Sequence, residues 1–216
     1  YYNKAKLIYA NEIDQSPFKY KNWGYPEALE EAGKALAVNQ LPLYQQLRGD
    51  IYFAMQDYPK AYECYSIVNQ SNLVSPATYY SAAKTKELMK ADETEVIALL
   101  DSAINLFSKP LPEDAGPYLF ERAQHKENKE MYKEAVDDYD EYYHVVNGKV
   151  NDLFYYYREQ ANYKSRNFKR ALEDIQKALE INPKDVTYLA ELGAINLRVA
   201  RYEEAIKNLQ DALAID

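Results

Sequence analysis

A short pattern, in which an aromatic residue precedes an alanine by three positions, recurs along this 216-residue chain and constrains its fold more than any other feature. It is complete in five places and degenerate in a sixth, where a valine replaces the alanine. The spacing between copies is 33 to 39 residues, which is typical of repeat proteins built from stacked helical units. The repeated column consists of Ala28, Ala61, Val96, Ala135, Ala171 and Ala205.

Each member of this column is the first of three residues that lie on one face of a predicted helix. A second column follows four residues later and a third follows three residues after that, and these positions share one face of an α-helix, which we expect to be buried. Another helical stretch precedes each such helix, and Gly49 and Gly193 allow two helices to approach closely. Each unit is therefore a helix pair. The second column is Ala32, Tyr65, Leu100, Tyr139, Ile175 and Leu209, and the third is Ala35, Val68, Ala103, Tyr142, Ala178 and Ala212.

The pattern resembles the tetratricopeptide repeat, a helix-turn-helix unit of about 34 residues with a Leu-Gly pair, an aromatic residue, an alanine and a closing proline. The last copy matches best, with Leu192-Gly193, Tyr202, Ala205 and Ala212, and the copy before it ends in Asn182-Pro183. The resemblance covers residues 25–216. It implies an all-α fold, a right-handed α-solenoid of about six helix pairs in a single domain. The predicted repeats are 1–40, which is degenerate, 41–75, 76–115, 116–150, 151–184 and 185–216, with an extended loop at 108–116.

A further recurrence predicts ion pairs inside the repeats. Arg48, Arg122 and Arg158 replace the leucine of the Leu-Gly pair. In two of these three copies an aspartate, Asp138 or Asp174, follows sixteen residues later on the partner helix. We expect Arg122–Asp138 and Arg158–Asp174 to link the two helices of one unit. The alternative is that these arginines bind an anionic ligand.

Motifs for catalysis or cofactor binding are missing from the sequence. It has no glycine-rich phosphate loop, and Cys64 has no nearby histidine to activate it. Asp140 and His144 lie one helical turn apart but supply only two metal ligands. We therefore predict no enzyme, no cofactor and no metal. The 26 basic and 34 acidic residues give a net charge of -8, which argues against nucleic acid as a partner.

Composition leaves the compartment open. No run approaches 18 apolar residues, so we predict a soluble protein without a membrane span. The single cysteine does not separate the cytoplasm from a bacterial periplasm. Residues 112–148 carry a net -6, which we interpret as the solvated face of a helix rather than a docking site for a basic partner. The chain starts at Tyr1, and we expect native residues beyond its ends.

The remaining candidate for function is a surface. In a helical solenoid the first helices of successive units line the concave side, where their inward residues decide binding. Aromatic and amide side chains dominate these positions, which favours an extended peptide or helix as the ligand. We therefore predict a protein-protein interaction scaffold that binds a partner protein in its concave groove. The predicted groove residues are Gln46, Asp50, Phe53, Phe120, Gln124, Tyr156, Gln160, Tyr163, Lys164 and Arg198.

Other interpretations remain open. The chain can be a regulatory or sensor arm of a larger protein or, less in keeping with its charge, an RNA-binding helical repeat. Similar repeat proteins hold the C-terminal carboxylate of heat-shock chaperones with inward Lys, Asn and Arg. Here only Lys164 and Arg198 are candidates for that role, or for contact with an acidic partner tail. The last helix ends without a polar cap, so we also expect self-association or further residues to cover it.

Overall fold

The computed structural model describes residues 1–13 and 24–215, and within these ranges it contains twelve α-helices and no β-strand. The all-α prediction is confirmed. None of the helices in these ranges is long and apolar enough to cross a bilayer. The chain forms two compact units, Tyr1–Ser108 and Lys109–Asp216. The first unit contains α1 (Tyr2–Ile13), α2 (Tyr25–Val38), α3 (Pro42–Ala54), α4 (Tyr58–Asn69), α5 (Pro76–Leu88) and α6 (Glu93–Asn105). The second contains α7 (Gly116–Asn128), α8 (Tyr132–Val145), α9 (Asp152–Lys164), α10 (Phe168–Ile181), α11 (Val186–Arg198) and α12 (Tyr202–Leu213).

Consecutive helices pack as pairs within each unit. In the first unit α1 packs on α2, α3 on α4 and α5 on α6, and the second unit repeats this arrangement from α7 to α12. Within a unit, the second helix of one pair also contacts the first helix of the next, as α10 contacts α11. The predicted number of about six helix pairs is confirmed. The boundaries of the individual repeats and their union in a single domain stay predictions.

The alanine column lies at the centre of these pairs. All six of its members are at most 2% exposed, as the repeat pattern predicted. The two helices of a pair approach closely where the first helix carries a small residue. A Cβ added at Gly49 on α3 would lie only 2.6 Å from the ring of Tyr65 on α4. The other two columns are buried too, except that Tyr142 is half-buried and Leu209 is 40% exposed.

The connections follow local sequence signals. Asp57, Asn167 and other side-chain caps accept hydrogen bonds from the first backbone N–H groups of the helices that follow them. In the turn from α9 to α10, Arg166 has a φ of 65°, in the left-handed region that reverses the chain after a helix. The predicted loop 108–116 contains a short 3-10 turn, Glu113–Ala115, directly before α7.

Leu209 belongs to an exposed apolar stripe on α12. Its neighbours at helical spacing, Tyr202, Ile206 and Leu213, are 60%, 58% and 76% exposed. The expectation that Leu209 is buried was wrong because, among the described residues, no further helix packs on this side of α12 as α11 packs on α10. Self-association through this face stays a prediction.

Overpacking the alanine column tests the helix-pair core. Ala171→Phe is expected to lower the free energy of unfolding by about 1–3 kcal/mol, because a ring placed between α9 and α10 forces the helices apart. Urea denaturation followed by circular dichroism measures the loss. The matched control is Gln176→Phe, which places the same ring on the exposed side of α10 and should change stability by less than about 0.5 kcal/mol. Equal effects of the two variants would contradict this packing.

Candidate functional site

The predicted groove residues all lie on first helices, but the structure divides them between the two units. Gln46, Asp50 and Phe53 lie on α3 in the first unit. In that unit Asp50 accepts a hydrogen bond of 2.8 Å from the hydroxyl of Tyr65, and the ring of Phe53 packs edge-on against Tyr58. Burial raises the pKa of Asp50, and the bond from Tyr65 offsets part of that rise. Asp50 and Phe53 are therefore engaged in packing between α3 and α4.

The second unit brings the other predicted residues together on α7, α9 and α11. Phe120 and Gln124 lie on α7, and Arg198 lies on α11. Gln124 and Gln160 are half-buried, and their side chains make no hydrogen bond among the described residues. Their amide groups are therefore available to hydrogen-bond a ligand on the side of the first helices. The α9 members are Tyr156, Gln160, Tyr163 and Lys164.

One pocket of this unit, which we call the aromatic pocket, has a volume of about 540 Å³. The ring of Phe120 lies 5.3 Å from that of Tyr142 and 5.6 Å from that of Tyr157, in edge-on or tilted arrangements. Leu153 lies at its edge and is 48% exposed. Rings and aliphatic groups line it almost throughout, so it suits an apolar side chain. Its lining consists of Glu113, Pro117, Phe120, Tyr142, Val146, Asn151, Leu153, Phe154 and Tyr157.

Only Phe120 of this pocket was among the predicted groove residues. Tyr142 had been assigned to the buried third column, and it is half-buried because its ring forms a wall of the pocket. Leu153, Phe154 and Tyr157 belong to the apolar run at the start of α9, whose density of aromatic residues was the available signal.

A second pocket, which we call the basic pocket, lies at the C-terminal ends of α9 and α11 and has a volume of about 480 Å³. Nε of Arg198 donates a hydrogen bond of 3.0 Å to the hydroxyl of Tyr163, and the rings of Tyr163 and Phe168 lie 5.4 Å apart. Lys164 and Arg166 complete the lining. The structure thus brings the predicted residues Tyr163, Lys164 and Arg198 into one pocket. It adds Arg166 from the turn that follows α9 and Phe168, the first residue of α10.

Tyr156 has a different environment from Tyr163, although both lie on α9. The ring of Tyr156 packs 5.3 Å from that of Tyr188 on α11. The hydroxyl of Tyr188 in turn donates to Asp152 at 3.1 Å. Tyr156 therefore helps to fill the contact between two repeats.

The two predicted ion pairs are present. Nε and Nη2 of Arg122 donate to the carboxylate of Asp138 at 2.8 and 2.6 Å, and the same atoms of Arg158 donate to Asp174 at 3.0 and 2.6 Å. Each is a two-pronged bond between the helices of one repeat. This confirms the structural role of both arginines. Asp174 also accepts a hydrogen bond of 3.1 Å from the side-chain amide of Asn162. In the last copy Asn196 donates a hydrogen bond of 3.0 Å to Asn208 at the same twelve-residue offset, and Leu192 stands in place of the arginine.

Asp140 belongs to this network as well. It accepts from Nη1 of Arg158 at 3.0 Å and from Nη2 of Arg170 at 2.7 Å, so it joins α8 to α9 and α10. The interpretation of its acidic run as solvated holds for Asp137 and Glu141, which are exposed, but it was wrong for Asp138 and Asp140. Their carboxylates are held by arginines.

A buried carboxylate lies on α9, one helical turn before Tyr163 of the basic pocket. Glu159 is 1% exposed, and neither of its carboxylate oxygens has a hydrogen-bond partner among the described residues. It occupies the position that Gly49, Ala123 and Gly193 hold in other repeats. Burial, together with the negative charge of Glu191, raises the pKa of Glu159 to about 8. At neutral pH this side chain is therefore mostly a neutral carboxylic acid.

Glu127 on α7 has a related environment. Burial raises the pKa of Glu127, and the positive charge of Lys164 offsets part of that rise, which leaves the pKa at about 7. One of its carboxylate oxygens is buried without a hydrogen-bond partner among the described residues. Lys164 therefore lies within electrostatic range of two carboxyl groups, those of Glu127 and Glu159, whose pKa values are raised.

Comparison with known proteins decides the fold family. TPR repeat-containing protein MJ1428 of Methanocaldococcus jannaschii is 27% identical over 205 residues, which cover 88% of this chain and 34% of the relative. The solved structure of YrrB, a TPR protein, superposes with a TM-score of 0.73 at 13% identity, covering 87% of this chain and 93% of YrrB. The chain has the tetratricopeptide-repeat fold.

Further similarities agree with the tetratricopeptide-repeat assignment. A crystal structure of MamA superposes with a TM-score of 0.69 at 16% identity, covering 81% of this chain and 91% of MamA. Hsp70-Hsp90 organizing protein 3 of Arabidopsis thaliana is 37% identical over 51 residues, which are 24% of this chain and 9% of that protein. No family model matches the chain. The chain spans about a third of the length of the Methanocaldococcus relative and about a tenth of the plant one.

Proposed function

We propose that the second unit holds a segment of a partner protein against its first helices, with an apolar side chain of that segment in the aromatic pocket. The observation that carries this proposal is the pocket itself, about 540 Å³ in volume and lined by the rings of Phe120, Tyr142 and Tyr157. Apolar pockets edged by polar groups are the usual anchoring points of protein interfaces. The amides of Gln124 and Gln160 supply hydrogen-bonding groups for the backbone of a bound segment.

The fold and charge support a protein as the partner. YrrB, whose fold the chain shares, is described as having an unusual peptide-binding site. A net charge of -8 opposes binding to nucleic acid. The proposed role is that of a binding scaffold rather than an enzyme.

Selection of peptides by the full chain tests this proposal. Random 12-residue peptides displayed on phage are selected on the immobilised protein, and enriched sequences are synthesised and measured by calorimetry. Leu153→Glu is expected to weaken their binding by about tenfold or more, because it places a charge at the edge of a pocket that must lose its water. Leu153 is already half-exposed, so the fold should tolerate the change.

The matched control is Leu73→Glu, which makes the same change in the first unit at a leucine that is 61% exposed. It should alter the dissociation constants by less than about twofold. The proposal fails if no peptide is enriched above background, or if the Leu153→Glu and Leu73→Glu variants bind the enriched peptides equally well.

A further inference from the structure

The basic pocket concentrates positive charge without neutralising it. Among the described residues, none of Lys164, Arg166 and Arg198 forms an ion pair with a carboxylate. Arg122, Arg158 and Arg170 of the same unit all pair with aspartates. Three cations that line one pocket repel each other, and a bound anion relieves that repulsion.

The geometry of Arg198 suits a carboxylate. Its side chain is exposed, and its Nε donates a hydrogen bond of 3.0 Å to the hydroxyl of Tyr163, which holds that edge of the guanidinium group. Its two Nη atoms have no partner among the described residues. This leaves two parallel donors, and such a fork matches the two oxygens of a carboxylate.

Favourable interactions of cations with helix C-termini explain only some of the positive charges in this pocket. Lys164 and Arg198 lie in the last turns of α9 and α11, where cations interact favourably with the free carbonyl groups. Arg166 lies outside both helices, in the turn before α10, so that interaction does not explain its position. The rings of Tyr163 and Phe168 add an apolar wall that a helix end does not require.

Two carboxyl groups that interact electrostatically with Lys164 do little to neutralise its charge. Glu127 and Glu159 lie within its electrostatic range, but burial raises their pKa values to about 7 and about 8. Near neutral pH both groups are largely or partly protonated. The positive charge of the pocket therefore remains available to a ligand.

We propose that the basic pocket binds the side-chain carboxylate of an aspartate or glutamate in the same partner segment whose apolar residue occupies the aromatic pocket. This inference rests on the function proposed above. From Leu153 to Lys164 the rise along α9 is about 16 Å, and about five residues of extended chain span that distance. The preferred segment thus carries an apolar residue and an acidic residue about four to six positions apart.

The peptides selected on the wild-type chain test the proposal directly. They should be enriched in acidic residues at that spacing from an apolar residue. Each enriched peptide is synthesised with an amidated C-terminus, which removes the terminal carboxylate as a source of binding, and again with Glu→Gln or Asp→Asn at the acidic position. The amide substitution should weaken binding to the wild-type chain by about threefold to tenfold, and 0.5 M salt should reduce the difference.

The Arg198→Gln variant shows where the carboxylate binds. It should bind the acidic and the amide peptides about equally, because its forked donors are gone. The matched control, Arg201→Gln, removes an exposed arginine outside the pocket and should keep the preference for the acidic peptide. Circular dichroism confirms that both variants are folded.

The outcomes separate this inference from the function on which it rests. If the enriched peptides bind through the aromatic pocket but show no acidic preference, or if Arg198→Gln keeps that preference, the basic pocket is not a carboxylate site and the scaffold proposal stands. If peptides with a free C-terminus bind and amidated ones do not, a terminal carboxylate is the ligand and the side-chain proposal is wrong. If no peptide is enriched, both proposals fail.

Discussion

Asp174→Ala is expected to lower the free energy of unfolding by about 3–5 kcal/mol, because it leaves the guanidinium group of Arg158 buried with part of its charge unpaired. Arg158 is 7% exposed and Asp174 is 2% exposed, so water does not replace the lost carboxylate. The bond of Arg158 to Asp140 survives the change and limits the loss. Urea denaturation of the full chain, followed by circular dichroism, measures it.

Two variants show whether the loss comes from the buried charge. Glu173→Ala removes an exposed carboxylate on the same helix and should change stability by less than about 0.5 kcal/mol. Replacing Arg158 and Asp174 together by leucine should recover most of the stability lost in Asp174→Ala, because no unpaired charge then remains. If the double variant is less stable than Asp174→Ala, the ion pair stabilises the fold by more than the mutual neutralisation of its two charges.

Glu159→Gln is expected to stabilise the chain at pH 8 and to remove much of the pH dependence of its stability. In the folded chain the pKa of Glu159 is raised to about 8, against an ordinary value of 4.5. Between these two values the folded state holds a proton that the unfolded state has released, so the free energy of unfolding falls as the pH rises. The fall amounts to roughly 4 kcal/mol over the whole window.

The glutamine of this variant stays neutral throughout, so the stability difference between the variant and the wild type isolates this one group. That difference should grow in favour of the variant by roughly 2–4 kcal/mol between pH 5 and pH 8. Glu180→Gln, at an exposed position of α10, should give a difference that does not change with pH. A flat difference for Glu159→Gln as well would mean that the pKa of Glu159 is not raised in the folded chain.

Those features of the fold that depend on spacing were predictable from the sequence. The alanine column and the pairs Arg122–Asp138 and Arg158–Asp174 recur at fixed offsets, because two helices joined by a short turn always place the same positions opposite each other. A single copy of such a pair would be weak evidence. Two copies at the same sixteen-residue offset are enough to predict the ion pairs, because both place the arginine and the aspartate in the same geometry.

Features that depend on the third dimension were not predictable in this way. The exposure of Leu209 depends on whether another helix packs on α12, which its own repeat does not encode. Tyr142 occupies a core column and still forms a pocket wall, because ring orientation decides which face remains open. Asp140 stands in an acidic run, and only the positions of Arg158 and Arg170 on two other helices show that it is paired.

The binding site combines both kinds of feature. Helical phase placed Tyr163, Lys164 and Arg198 on the first-helix side, and the structure brings them into one pocket. The helical phase of the first helices did not include Arg166, which lies in the turn after α9, or Phe168, which begins the second helix α10. Pockets between repeats take their walls from turns and from second helices, so a list taken from first helices alone is incomplete.

Mapping a bound peptide by NMR tests the central claim most directly. A peptide enriched by selection is titrated into the ¹⁵N-labelled full chain, and the backbone shifts are assigned to helices. Binding against the first helices of the second unit predicts that the largest shifts fall on α7, α9 and α11 and on the turn containing Arg166. Shifts concentrated on the exposed sides of α8, α10 and α12, or confined to the first unit, would contradict the claim.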